Sequence, residues 1–363
     1  MAGRIVVFGA TGFTGRLTAE ALVARGARPV LAGRSAERLD VLAGRLGGGL
    51  ETAVADVARP ETVRALVERG DVLVSTVGPF RRYGEPAVQA AIAAGAHYLD
   101  STGEGEFIRA VFERYGAGAA AAGCGLLTAF GYDFVPGNLA GALALRDADG
   151  SAVRVDVGYY ITGRAAMSSG TRASAPGVAL ARSFAWRDGR LVDDRPARRL
   201  RDFGVRGKSR PAVSIGGSEH FGLPRVAPGL REVNVYLGWF GPLSRPLQGL
   251  ATLAAVPGVR PGLEAVAAQL TRGSGEGPDE AARAGSSSHV QAVAYDGAGR
   301  EVAHVVLEGP NGYDLTGRFL AWGAERAAAG GLRGTGALGP ADGFGLDELE
   351  AGCAEAGLRR VAA

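Results

Sequence analysis

The stretch that decides the fold is Arg4-Ile5-Val6-Val7-Phe8-Gly9-Ala10-Thr11-Gly12-Phe13-Thr14-Gly15. An apolar run of strand length ends in a glycine-spaced turn, and a helical pattern opens directly after it. Each glycine meets a separate physical need. Gly9 lets the chain turn sharply off the strand, Gly12 lets backbone approach a diphosphate with no Cβ in the way, and Gly15 lets the helix pack close to the sheet. Thr11, Phe13 and Thr14 fill the loop and the first helical turn, where free N–H groups favour an anion. The glycine spacing alone is weak in a chain with 59 glycines. Its place between a strand and a helix makes it specific.

Working outward, apolar runs recur at Pro29–Ala32, Glu51–Ala55, Val72–Thr76, His97–Asp100 and Gly125–Phe130. Helical patterns separate them at Phe13–Arg25, Glu61–Glu68, Glu85–Ala94 and Glu106–Ala122. Continuous apolar strands alternating with helices predict a doubly wound parallel sheet of Rossmann type over residues 1–146. After residue 150 the pattern changes. Val153–Thr162 alternates like a strand with one wet face. Hairpin signals sit at Asp188-Gly189 and at Asp296–Gly299. A second α+β domain with a mainly antiparallel mixed sheet is expected over 151–310, for substrate binding and dimerisation. Helices over 311–363 are expected to return to the first domain, with Gly330–Gly345 as a glycine-rich loop.

The second apolar run selects the cofactor. An NAD enzyme places a carboxylate at its end to hold the ribose 2′-hydroxyl. Here the chain reads Gly33-Arg34-Ser35, with Arg38 one turn later. A guanidinium at Arg34 suits a 2′-phosphate, so NADP(H) is the expected cofactor. Asp56, after the third run, either meets the adenine side or caps the next helix. Gly78-Pro79-Phe80 after the fourth run is expected near the nicotinamide. Tyr83 behind it, and Tyr132 and Asp133 after the sixth run, are the candidate catalytic groups. Asp133 has a second reading as a helix cap before Pro136. Ser169, Gly170 and Thr171 precede a helical pattern and are candidate substrate-binding residues, or ordinary caps.

Composition narrows the class. The 363 residues carry a net charge of +3, with 47% hydrophobic and 21% charged residues. This is the balance of a globular protein of two domains. Lys208 is the only lysine, and no basic run is interleaved with aromatics, so nucleic acid is not an expected partner. The arginines of 182–210 suit either a phosphate-bearing carrier or a solvated face. Cys124 and Cys353 stand alone, and His97, His220, His289 and His304 are scattered, so no metal or disulfide framework is expected. With no leader pattern ahead of the first strand, a cytoplasmic location is expected. No Gly-x-Ser-x-Gly elbow supports a serine hydrolase. The segment Tyr236–Val259 is apolar but holds Pro242, Arg245, Pro246 and Pro257. It is too broken for a membrane span and reads as core packing, a cover over an apolar ligand, a subunit contact in a homo-oligomer, or, less favoured, an interfacial membrane contact.

Several runs together carry a family resemblance. They are Gly9–Gly15, Ala32-Gly33-Arg34, Ser75–Phe80 with Tyr83-Gly84, His97–Glu104, and Gly131–Gly137. In the second half, Ser168-Ser169-Gly170-Thr171 and Gly334–Pro340 join them, with Ser169 where glycine is common. The chain resembles the saccharopine dehydrogenase-like oxidoreductases, and among them the trans-acting enoyl reductases. The resemblance implies a nicotinamide-dependent reductase and leaves the substrate open. Three functions follow as expectations. The first is an NADPH-dependent reductase of a conjugated C=C bond in an apolar small molecule or acyl substrate. The second is an imine reductase, and the third an NADP(H)-binding sensor or scaffold without turnover.

Overall fold

A computed structural model describes residues 3–163, 182–239, 241–254 and 277–362. The chain divides into two compact units. One holds Met1–Gly103, Phe107–Val135 and Gly312–Ala356, and the other Glu104–Glu106, Pro136–Asn311 and Gly357–Ala363.

The first unit is built on β1 (Ile5–Phe8), β2 (Val30–Gly33), β3 (Thr52–Val54), β4 (Val72–Ser75), β5 (His97–Asp100) and β6 (Gly125–Leu127). Gly336–Ala337 adds a seventh strand, giving the order Gly336–Ala337, β6, β5, β4, β1, β2, β3. Every pairing is parallel. β1, β2 and β4 are buried along their whole length, as strands covered on both faces must be. α1 (Phe13–Ala24), α2 (Ala36–Arg45), α3 (Pro60–Arg64), α4 (Phe80–Tyr83) and α5 (Glu85–Ala94) follow the strands. The sheet thus exceeds the six strands expected from the sequence. The extra strand and a short helix, Pro340–Phe344, lie within the stretch expected to be a loop. Both are too short to show a period. The stretch Glu106–Ala122 is not one regular helix, because a π-helical turn at Val111–Tyr115 interrupts it.

The helix Gly312–Ala328 closes the first unit against α1 and the sheet. It comes close because glycines face its neighbours. A Cβ at Gly317 would lie 3.0 Å from the Leu17 backbone, and one at Gly323 2.5 Å from the Phe130 ring. Its Trp322 is stacked on Phe130 at 6.3 Å and tilted against Phe344 at 4.8 Å. Aromatic pairs of this kind contribute about 0.5–1.5 kcal/mol each beyond area burial.

The second unit holds β7 (Arg154–Gly163), β8 (Ser183–Arg187), β9 (Arg190–Asp194), β10 (Leu200–Val205), β11 (Lys208–Ile215), β12 (Glu232–Leu237), β13 (Ser286–Tyr295) and β14 (Glu301–Gly309). The sheet runs β10, β11, β12, β7, β13, β14 and then Arg359–Val361, with β8 on β12 and β9 on β8. β7 and β12 are parallel and the other pairings antiparallel. The helix Val135–Asp147, which sequence pattern places with the first domain, packs mainly in this unit. The Gly137 N–H donates to the Tyr159 hydroxyl at 2.8 Å, and Gly141 faces Leu223. The last strand likewise joins this sheet.

Two segments of the second half are decided between their alternatives. Of the readings of the apolar segment, core packing holds for Tyr236 and Leu237, and the cover does not. They end β12, where the Tyr236 ring is buried against Phe203 at 5.6 Å. The helix Ser244–Ala254 that follows rests on the same sheet, with the Ser244 hydroxyl donating to the Pro211 carbonyl and Ala251 packed on Val213. Residues 255–259 lie outside the described residues. The arginine-rich stretch is largely paired within the unit. Arg199 and Arg198 meet Asp194, Arg201 meets Asp156, and Arg187 donates to Asn234 and to the Val233 carbonyl. Among the described residues, no helix is long and apolar enough to cross a membrane.

The helix Gly312–Ala328 should be needed for stability of the first unit. Trp322→Ala removes a buried ring from the Phe130–Phe344 stack and should cost about 3–5 kcal/mol. Urea unfolding followed by circular dichroism measures this, and an unchanged midpoint would show that the stack adds little.

Candidate functional site

The site grows out of the turn after β1. Gly9 has φ +87°, a conformation that only glycine adopts without strain. Its N–H and that of Ala10 both donate to the Ala32 carbonyl, at 2.9 and 3.1 Å, which ties the loop to β2. The Gly12 N–H returns to the Gly9 carbonyl at 2.9 Å. A Cβ at Gly15 would lie 2.2 Å from that same carbonyl, so the helix can start here only with glycine. At Gly12 a Cβ would meet nothing nearer than the Gly9 carbonyl at 3.2 Å, which leaves its open side to a ligand. α1 then begins without a side-chain cap, and its first-turn dipole is available to an anion.

Thr76 holds this turn in place. Its hydroxyl lies 3.1 Å from the Phe8 carbonyl and 3.2 Å from the Gly9 carbonyl. In the sequence Thr76 is merely the last residue of the run Val72–Thr76. A threonine ending a strand is ordinary, and only the fold shows its hydroxyl between two loop carbonyls.

Around the turn lies a pocket of about 490 Å³, lined by Gly9, Thr11, Gly12, Arg34, Arg38, Asp56, Gly78 and Tyr83. Phe8, Gly33, Val57, Ala58, Thr76 and Val77 complete it and were not singled out from sequence. They are small or apolar residues whose role comes from position alone. Arg34 is exposed at the rim, and no described residue pairs with its guanidinium. Arg38 donates to the Thr11 carbonyl at 3.2 Å, joining the two loops that flank the pocket. Ser35 caps α2 by accepting the Arg38 N–H at 3.4 Å, which leaves its hydroxyl hydrogen for another acceptor. Asp56 accepts the Ala58 N–H at 3.0 Å and shapes its own turn. The residue at the start of α3 is Arg59, so of the two readings of Asp56 the cap does not hold.

The other expected residues divide. Thr14 and Gly15 sit in the first turn of α1, where the Thr14 carbonyl accepts the Thr18 hydroxyl. Phe13 packs edge-on against Tyr313 at 5.1 Å. Pro79 precedes α4 after a cis peptide bond. Phe80 turns into the core against Phe107 at 5.7 Å, so its ring does not line the pocket. Tyr83 is half-buried in the pocket wall, with the Arg82 guanidinium 5.0 Å from its ring. Tyr132 is buried, and its N–H donates to the Thr316 hydroxyl at 2.9 Å. Ser169, Gly170 and Thr171 lie outside the described residues.

Asp133 is on the loop after β6. Its Oδ1 is buried and takes no hydrogen bond, so it does not cap the helix that follows. Burial pushes its carboxyl up to about 7. Asp100, fully buried at the end of β5, differs. Its oxygens accept the N–H groups of Thr102 and Ala129 at 2.9 and 2.8 Å and the Thr128 hydroxyl at 2.8 Å. Burial still raises it, to about 6, against those bonds. It fixes the start of the loop, where Ala129 is held at φ +58°.

The glycine turn and the unpaired arginine at the rim fit a dinucleotide carrying an extra phosphate. Gly12→Val should leave a folded protein, since only one atom crowds the new side chain, and should abolish NADPH binding in a fluorescence titration. Unchanged affinity would show that the turn does not cradle the diphosphate.

Residues 5–123 match the family model of the saccharopine dehydrogenase NADP binding domain. A trans-acting enoyl reductase of Mycobacterium leprae is 44% identical over 140 residues, 37% of this chain and 34% of that protein. A trans-acting enoyl reductase of Mycobacterium tuberculosis shows the same identity and coverage. These matches therefore span about a third of the length of those relatives. The solved apo saccharopine dehydrogenase (L-Glu forming) from Saccharomyces cerevisiae has a TM-score of 0.62 at 12% identity, over 99% of this chain and 100% of that one. That likeness is one of fold. The glycine turn and the arginine in place of a carboxylate both fall within residues 5–123, so this segment is a domain of the saccharopine dehydrogenase NADP binding type, with NADP(H) as its cofactor.

Proposed function

We propose that the protein is an NADPH-dependent reductase that adds hydride to a C=C bond conjugated with a carbonyl, in an apolar small molecule or an acyl group. The observation that carries this reading is the 44% identity to trans-acting enoyl reductases over 140 residues of the chain. Bound NADPH supplies the hydride. The protein's part is to hold the cofactor and to provide a proton for the other carbon of the reduced bond. Gly9, Gly12 and the start of α1 hold the diphosphate, Arg34 and Ser35 the 2′-phosphate, and Gly78 and Tyr83 the nicotinamide end. The fold shared with a saccharopine dehydrogenase adds no support for imine chemistry, because a fold hosts many reactions.

Two measurements test this. NADPH should bind at least about tenfold tighter than NADH, a difference of about 1.4 kcal/mol, and Arg34→Ala should remove most of it. Equal affinities in the wild type would sink the assignment of Arg34. NADPH consumption against enones, enoyl thioesters and cyclic imines should show turnover with the first two classes. Turnover confined to the imines would refute the C=C reading.

A further inference from the structure

We propose that Asp133 is the proton donor of the reduction, held as a neutral carboxylic acid until the acceptor takes hydride. This rests on the reductase reading above. The argument begins with position. The sheet order places β4, β5 and β6 side by side, and the loops leaving their C-terminal ends carry Gly78–Tyr83, Gly103 and Asp133 in turn. Ligands of doubly wound sheets bind along this edge. Gly78 and Tyr83 already line the pocket, and Asp133 stands two loops further on.

The loop carrying Asp133 is built to stay put. Asp100 holds Ala129, the Phe130 N–H donates to the Asp100 carbonyl at 2.7 Å, and the Phe134 N–H donates to the Ala129 carbonyl at 2.9 Å. The Tyr132 N–H is fixed to Thr316. Against this rigid frame the Asp133 carboxyl is left without support. Its Oδ1 is buried and unbonded, and its Oδ2 faces Gly103 so closely that a Cβ there would come within 3.1 Å. A structural aspartate in such a loop would collect N–H groups, as Asp100 does. A bare buried carboxylate is costly, whereas the protonated form is not. No charged or titratable group contributes to its raised value, for burial is its sole cause, and the nearby Asp100 has both oxygens committed to its own donors.

The step balances. Hydride forms a C–H bond at the β-carbon of the acceptor, and the π electrons move toward the carbonyl. The Asp133 O–H bond breaks, and its proton forms the second C–H bond at the α-carbon. A carboxylate remains and regains a proton from water.

The test begins with a readout that needs no turnover. The folded carboxyl titrates near 7 and an unfolded one near its ordinary value of about 4. Native protein therefore holds this proton to higher pH. The stability it confers is complete below pH about 4 and is lost as pH rises through about 7. Asp133→Asn has no proton to lose. Between pH about 4 and about 8 its urea midpoint should gain on that of the wild type, and a constant difference would refute the neutral acid. With an enone, Asp133→Asn should lower kcat by about 100-fold or more and leave NADPH affinity within about twofold, and Asp133→Glu should recover part of the loss. Wild-type kcat should decline above pH about 7. Full kcat in Asp133→Asn, beside an active wild type, overturns the assignment alone. A wild type inactive on every acceptor class overturns the reductase reading and the donor role together, whatever the stability curves show.

Discussion

The contact on which the cofactor domain depends is the one between the Gly9 carbonyl and the start of α1. A Cβ at Gly15 would lie 2.2 Å from that oxygen, so strand, turn and helix can meet only while no side chain intervenes. The rest of the site follows from this closeness. It brings the helix N-terminus to the mouth of the sheet, where its partial positive charge faces an anion. It also leaves the Phe8 and Gly9 carbonyls within reach of the Thr76 hydroxyl, so β4 is joined to the turn it helps to shape. Arg38 ties the neighbouring loop to Thr11. The turn is thus set by backbone geometry, with the Arg34 guanidinium exposed at the rim of the pocket beside it.

The loops after β5 and β6 hold two carboxyls with opposite surroundings. Asp100 is enclosed by donors and serves the backbone. Asp133, on the loop that Asp100 secures, is enclosed without a bond to its Oδ1. Burial acts on both, but only the first spends its oxygens on holding structure. Divergent settings for a pair of acids are the usual means by which a protein separates a structural carboxyl from a reactive one.

Much of the first unit was legible in the sequence because parallel strands buried on both faces appear as unbroken apolar runs. β5 coincides with the run expected, and β1 and β4 differ from theirs by one residue. The glycine turn was legible because three backbone requirements fall at fixed spacing. What stayed hidden lacks a period. Gly336–Ala337 is two residues long, and Tyr236–Leu237 looks like part of the apolar segment after it, although it ends a sheet strand. The sequence puts the Gly78-Pro79-Phe80 loop near the nicotinamide but does not tell that the Phe80 ring belongs to the core. Thr76 stayed hidden because it is defined by contact rather than type. Asp133 stands out in the sequence as a candidate, but capping and acid chemistry share the same letter there, and only the unbonded Oδ1 separates them.

The first unit is discontinuous in the chain, and this bears on how the protein is made. The helix that packs on α1 begins at Gly312, and the strand that completes the parallel sheet is Gly336–Ala337. On the ribosome, β1 to β6 emerge long before these pieces, with β7 to β14 of the second sheet synthesised in between. Closing so long a loop costs entropy before any contact repays it. The nascent cofactor domain must therefore wait with one helix-binding face and one sheet edge uncovered, an invitation to chaperones and to strand-to-strand association. A fragment cut after residue 146 lacks both pieces and leaves the same helix-binding face and sheet edge uncovered.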